Sequence, residues 1–361
     1  MTADRPLLAV DGLRKLYQVN ARRFWRRGAA PSFLHAVDGV SFNIGHGETV
    51  GLVGESGCGK SSVVRLIARL IDITDGSIRF DGEEIGGVPA RRFGRTAQRA
   101  QIQMVFQDAT DSLNPRYSAF RAIADPLLRL RQLSGVALRA RVEEVARLTG
   151  LPEELLDRFP HQLSGGQKAR VGIARAIAVE PRLLLLDEPT SALDVSVQVV
   201  ILRLLRDLKR QLGLSYLFVS HDLNVVRLLC DYVLVMYLGR IVESGPAGQV
   251  FAAPAHPYTQ ALLSAVPKPG FTGGRATRIR LPGEPRSPID PAPHICSLYG
   301  RCGRATEQCA KIMPELREVA TGQFAACHFP VAYTVGEPGT PPPVAYAGSP
   351  DDLLKNRTAL S

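Results

Sequence analysis

Residues Gly54–Ser62 read GESGCGKSS and contain the pattern G-x-x-x-x-G-K-[ST], carried by Gly54, Gly59, Lys60 and Ser61. The preceding run, Glu48-Thr49-Val50-Gly51-Leu52-Val53, ends apolar, as a buried strand does. After the loop, Val63, Leu66, Ile67 and Leu70 recur at the i, i+3, i+4, i+7 spacing of a helix. A strand, a glycine loop and a helix in that order form a phosphate cradle. The glycines let the backbone curl so that N–H groups point at phosphate oxygens, and the helix N-terminus adds its dipole. Gly54, Ser56, Gly57, Cys58, Gly59, Lys60, Ser61 and Ser62 are therefore the expected phosphate-binding set. In it Lys60 reaches the β- and γ-phosphates and the Ser61 hydroxyl ligates Mg²⁺. A plain glycine turn is the bland alternative, and Lys60 beside Ser61 argues against it.

The rest of the chain alternates strand and helix patterns around this loop. Leu7–Val10, Leu13–Tyr17 and His35–Phe42 read as strands, with a basic insertion, Gln18 to Ser32, between them. Turn signals around Asp75–Gly82 mark a hairpin strand. Ile102–Phe106 is a further strand, ending at Gln107, and Pro126–Leu156 reads as helical. A helix begins after Leu163–Gln167 and runs to about Ile177. The continuous apolar run Leu183–Leu186 predicts a central parallel strand, followed by Asp187-Glu188. Val197, Ile201, Leu204, Leu205, Leu208 and Leu212 mark an amphipathic helix, and Tyr216–Val219 a buried strand with His221 just beyond its end. This alternation implies a largely parallel α/β sheet with its ligand at the strand C-terminal ends.

Phosphoryl transfer needs positioned phosphates, a metal and an oriented water. At the end of its apolar strand, Asp187 can hold the Mg²⁺ shell, and Glu188 is placed to polarise water. Tyr17, upstream of the loop, offers a flat surface for an adenine base, although a lone tyrosine more often simply packs.

Three motifs taken together resemble the ATP-binding-cassette (ABC) ATPases: GESGCGKS, LSGGQ at Leu163–Gln167, and LLLLDEPTSALD at Leu183–Asp194. Gln107 and His221 fall where that family has its glutamine loop and switch histidine. The resemblance implies a cassette with a mainly parallel core sheet, an antiparallel β subdomain and a helical subdomain over about 108–165. It implies a head-to-tail dimer holding two ATP molecules, each also contacted by Ser164, Gly165, Gly166 and Gln167 of the opposite subunit. It further implies that His221 holds the γ-phosphate, Gln107 senses metal and water, and Asp194 couples the two sites. Phe106-Gln107-Asp108, Ser112–Arg116, Pro160-His161-Gln162 and His256-Pro257-Tyr258-Thr259 resemble the oligopeptide and dipeptide importers. In that subfamily a cassette dimer drives two membrane-spanning subunits fed by an extracytoplasmic substrate-binding protein. Nickel, opine or glycoside cargo occurs in the same group.

Composition bears on partners and location. The net charge is +10, no apolar run approaches the roughly 18 residues of a membrane span, and the N-terminus lacks a secretory pattern. A peripheral protein on the cytoplasmic face of the inner membrane is expected. The charge also raises a competing class, a soluble ABC ATPase acting on nucleic acid or ribosomes. Arg22, Arg23, Arg26 and Arg27 around Phe24 and Trp25 read either as solvated surface or as a membrane-facing or subunit-facing patch.

The expected division is a cassette over 1–250, a C-terminal importer-type domain over 251–330 and a disordered tail over 331–361. Of six cysteines, Cys58 reads as a small filler and Cys230 as core. Cys296, Cys302, Cys309 and Cys327 resemble the iron–sulfur segment of peptide-importer ATPases, which implies a [4Fe–4S] cluster. Zinc and free thiols are the alternatives, and disulfides are disfavoured in a reducing cytosol.

Overall fold

The structure is a computed structural model and describes residues 5–19, 31–107, 112–266 and 278–330. The basic cluster Arg22–Arg27, Asp108 and the tail 331–361 lie outside the described residues.

Two sheets organise the chain. The first is antiparallel and pairs β2 (Ser32–Ile44), β1 (Leu8–Val19), β4 (Asp75–Phe80) and β5 (Glu83–Glu84) in that order. The second runs β11 (Arg317–Ala320), β12 (Gln323–Ala325), β10 (Arg240–Pro246), β9 (Tyr232–Tyr237), β3 (Thr49–Val53), β8 (Ser215–Val219), β7 (Leu183–Asp187), β6 (Ile102–Val105). From β9 to β6 every pairing is parallel. The strands from β11 to β9 pair antiparallel.

The parallel strands are buried on both faces, which explains why their sequences are continuously apolar. Side chains alternate along each strand. In β7, Leu184 and Leu186 therefore enter one core while Leu183 and Leu185 enter another. The first core also takes Ile123 of α2 (Ala119–Pro126), Val142 of α3 (Gly135–Leu148), Ile173 of α4 (Gly165–Ile177), Leu205 of α5 (Val195–Leu212) and Val226 of α6 (Leu223–Leu229). The second joins Val63, Val64, Leu66 and Ile67 of α1 (Lys60–Ile67) to Leu8, Val10 and Leu13 of the antiparallel sheet.

Close approach fixes one residue of the central strand. A Cβ added to Gly51 would lie 2.7 Å from Val226 Cγ1 and 2.9 Å from Cys230 Sγ, so β3 packs on α6 at a distance that only glycine permits. The helical stretch begins earlier than the sequence suggests. Ser118 caps α2 by accepting from the Arg121 N–H at 3.3 Å. After Pro126 the chain makes a π-helical turn at Leu127–Arg131 before α3. Arg141 of α3 donates to the carbonyls of Ala178 (3.0 Å) and Ile177 (3.4 Å), satisfying the free C-terminal end of α4.

The C-terminal segment joins the large sheet, with β12 pairing to β10 at Glu243–Ala325 and Ser244–Phe324. Beneath that junction, buried Glu243 accepts from the N–H groups of Ala255 (2.7 Å) and His256 (2.9 Å) and from Gln323 Nε2 (2.7 Å). Among the described residues, no helix is long and apolar enough to cross a membrane.

Candidate nucleotide site

The chemistry-bearing residues gather at the C-terminal ends of β3, β6, β7 and β8. The loop after β3 curls where a side chain would not fit. A Cβ on Gly54 would lie 2.2 Å from the Met236 carbonyl oxygen, and one on Gly59, at φ +110°, 2.1 Å from that of Ala36. Gly57, at φ +80°, faces open space within 4 Å, as the lip of a cradle requires. Ser56 is exposed and Ser62 half-buried. Cys58 is buried in the core beneath the loop, and burial pushes its thiol up, consistent with a filler.

Lys60 is buried, and its Nζ donates to the carbonyls of Gly54 and Glu55, both at 2.9 Å. The Ser61 hydroxyl donates to Asp187 Oδ1 at 3.2 Å. Burial raises the Asp187 carboxyl and the Glu188 charge adds to that, while the Ser61 hydrogen bond, Arg65 and Lys60 pull it down. A hydroxyl and a carboxylate at this separation, beside a buried ammonium, are a hard oxygen donor set suited to Mg²⁺ next to phosphate. The residues present thus fit a magnesium nucleotide.

Glu188 is the hub of the site. Gln107 Nε2 donates to its Oε2 at 3.2 Å, and His221 Nδ1 lies 3.1 Å from the same oxygen. Its backbone sits at φ +46°, a region that costs a non-glycine residue about 1–2 kcal/mol, and its N–H is held by the Val219 carbonyl at 3.0 Å. The Glu188 side chain is largely covered, whereas His221 is 61% exposed.

The LSGGQ residues form a different feature. Ser164 Oγ accepts from the Gln167 N–H at 3.3 Å, and Gln167 Oε1 accepts from the Ser164 N–H at 2.8 Å, a reciprocal cap at the start of α4. Gly165 is exposed at that N-terminus, and a Cβ on Gly166 would meet Val197 Cγ1 at 2.8 Å. Asp194 is exposed at the start of α5, with its carbonyl accepting from the Gln198 N–H at 2.8 Å. Tyr17 is 38% exposed on β1, with the Lys15 ammonium 5.0 Å from its ring centroid.

Sequence reasoning missed the residues behind the loop. The Tyr258 hydroxyl accepts from the Glu55 N–H at 2.8 Å, and Arg301 Nη1 contacts Glu55 Oε2 at 3.3 Å and the Tyr237 hydroxyl at 3.1 Å. Tyr258 lies within His256-Pro257-Tyr258-Thr259 and Arg301 directly precedes Cys302, but no local pattern says that either reaches residue 55.

The expected iron–sulfur cluster is corrected. Among the described residues, no group of three or more His, Cys, Asp or Glu side chains is disposed to hold a metal ion, which also removes the zinc alternative. Cys296, Cys302, Cys309 and Cys327 are free thiols. Cys296 and Cys309 are buried in the first core, where the Cys296 N–H donates to the Cys309 carbonyl at 2.9 Å. Burial raises the thiols of Cys296 and Cys327.

Known proteins match this arrangement in both parts. The family described as ABC transporter matches residues 37–191, and the one described as oligopeptide/dipeptide transporter, C-terminal region, matches 242–309. The dipeptide transport ATP-binding protein DppF of Haemophilus influenzae is 43% identical over 326 residues, 90% of this chain and 97% of that protein. DppF of Escherichia coli K12 is 42% identical over 326 residues, 90% of this chain and 95% of its own length. Among solved structures, the dimeric ATP-binding cassette MJ0796 bound to ADP and Pi is 30% identical with a TM-score of 0.59. That match covers 66% of this chain and 98% of the MJ0796 cassette. The chain belongs to the ABC transporter ATP-binding subunits, and is accordingly an ATPase coupled to transport. Within that class it carries the C-terminal region of the oligopeptide/dipeptide branch.

Proposed function

We propose that this chain hydrolyses ATP to drive import of di- or oligopeptides, or of related small solutes, through a membrane-embedded permease. What carries the cargo reading is the pairing of the nucleotide site with a C-terminal region of the oligopeptide/dipeptide transporter type. The two DppF proteins, named for dipeptide transport, support it along most of their length.

In this reading the division is a cassette over 1–250, with its helical subdomain near 108–165, and a C-terminal importer-type unit over 251–330. Lys60 and the N–H groups of Gly54 and of Ser56 to Ser62 hold the phosphates, and Tyr17 stacks on the base. Ser61, Asp187 and Gln107 are the residues that would hold Mg²⁺, which when bound neutralises charge building on the phosphate oxygens. Glu188 orients and polarises the attacking water, and His221, 3.1 Å from it, holds the γ-phosphate end. Ser164 to Gln167 present the free N–H groups of α4 to the nucleotide of a second cassette, with Asp194 coupling the two sites. The dimeric MJ0796 cassette supports that assembly. The chain works at the cytoplasmic face of the membrane, bound to its permease and served by an extracytoplasmic binding protein.

A tagged chain purified from detergent-solubilised membranes is expected to bring down polytopic membrane proteins together with a second cassette. Recovery of soluble chain with nucleic acid or ribosomes, and no polytopic protein, would contradict the proposal.

A further inference from the structure

We propose that Arg301 and Tyr258 are positioning residues for the phosphate loop, through which the C-terminal segment sets the affinity for nucleotide. Every polar group of Glu55 is engaged. Its carbonyl accepts from Lys60 (2.9 Å), its N–H donates to Tyr258 (2.8 Å) and its carboxylate meets Arg301 (3.3 Å). Two of these three partners come from beyond residue 250. Glu55 follows Gly54 directly, so fixing its peptide fixes the first turn of the cradle.

The supports are themselves buried. Tyr258 and Tyr237 are fully buried, with ring centroids 4.6 Å apart, and the Arg301 guanidinium lies 5.9 Å from the Tyr237 ring centroid. Arg301 is 9% exposed, and its N–H is held by the Leu298 carbonyl at 3.0 Å. Its Nε is buried without a hydrogen-bond partner. A buried guanidinium left partly unsatisfied is a poor device for stability alone, since apolar packing there costs less. What Arg301 supplies that an apolar side chain could not is the charge-assisted contact to Glu55.

The test is equilibrium titration of the full chain with a fluorescent ATP analogue in the presence of Mg²⁺. It compares wild type with Glu55→Gln, Arg301→Gln and the double variant. Each single change is expected to raise Kd about tenfold, the low end of the range for losing one charge-assisted hydrogen bond, and the double should be no worse than either. Arg301→Lys, which keeps the charge, should recover part of the loss, and Tyr258→Phe should raise Kd by stranding the Glu55 N–H. A purely structural Arg301 would lower the urea midpoint of Arg301→Gln and leave Glu55→Gln binding at the wild-type level. That result, or single effects that multiply in the double variant, overturns the proposal. Should Arg301→Gln not fold, Glu55→Gln alone still decides, because a wild-type Kd there removes the coupling. The readout is nucleotide binding by the chain alone, so it is independent of cargo and permease.

Discussion

Glu188 is held from three directions, by Gln107 and His221 on its carboxylate and by the Val219 carbonyl on its N–H. A backbone at φ +46° is unfavourable for glutamate, and sites of this kind keep such strain where orientation matters. If its carboxylate polarises the attacking water, Glu188→Gln keeps the shape and removes the base. ATP binding should then be retained while hydrolysis falls by roughly 10²-fold or more. Single-turnover hydrolysis beside nucleotide binding checks this, and turnover near wild type would remove the role. At this scale the sequence was legible where function depends on neighbours in the chain. Lys60 and Ser61 follow Gly59, and Asp187 and Glu188 end one strand, so their juxtaposition follows from a single turn each. Arg301 and Tyr258 meet Glu55 across 246 and 203 positions, and nothing local encodes that. The four cysteines show the opposite failure. Their spacing is the same whether they ligate a metal or stand as free thiols, two of them buried, and only side-chain placement separates the two.

At the scale of elements, apolar runs located β3, β6, β7 and β8, because a strand buried on both faces must be apolar throughout, and β9 was missed although its run is as apolar. The π-turn at Leu127–Arg131 was not legible, since Leu127, Leu128 and Leu130 fit an ordinary helix equally well. The pairing of β10 with both β9 and β12 escaped for a different reason, as β12 spans three residues. The junction under β10 carries a pH dependence. His256 caps α7 (Pro257–Ser264), its Nδ1 accepting from the Tyr258 N–H at 3.1 Å. Burial holds its pKa down to about 4 from 6.5, against the opposing backbone bond to Ala326. The unfolded chain therefore takes a proton near pH 6.5 that the native chain refuses. The contribution is present above pH 6.5 and is lost as pH falls through about 4, a change of about 3 kcal/mol. Glu243 acts with the opposite sign, since burial raises its carboxyl and its contribution is lost as pH rises. The His256 effect is isolated by difference. The gap in unfolding free energy between wild type and His256→Gln should shrink by about 3 kcal/mol from pH 7 to pH 4, and a pH-independent gap would count against it.

On the scale of the molecule, one large sheet ties the nucleotide loop at the end of β3 to the C-terminal segment through β9, β10 and β12. Alternating strands and helices made the α/β class legible from the sequence, and the motif order made the ABC cassette legible. What covers the loop from behind was not, because it depends on which strand a three-residue segment joins. An ATPase built for transport should be slow alone and fast when its membrane partner engages it, since product release and closure set turnover in machines of this kind. The net charge of +10 makes nucleic acid the natural competitor as an activator. The decisive measurement is therefore the ATPase rate of the purified chain, alone, reconstituted with its copurifying permease and a peptide-loaded binding protein, and mixed with DNA or RNA. The account predicts stimulation by the peptide-loaded membrane complex and none by nucleic acid, and it is contradicted by salt-sensitive stimulation with DNA or RNA and no response to the membrane complex.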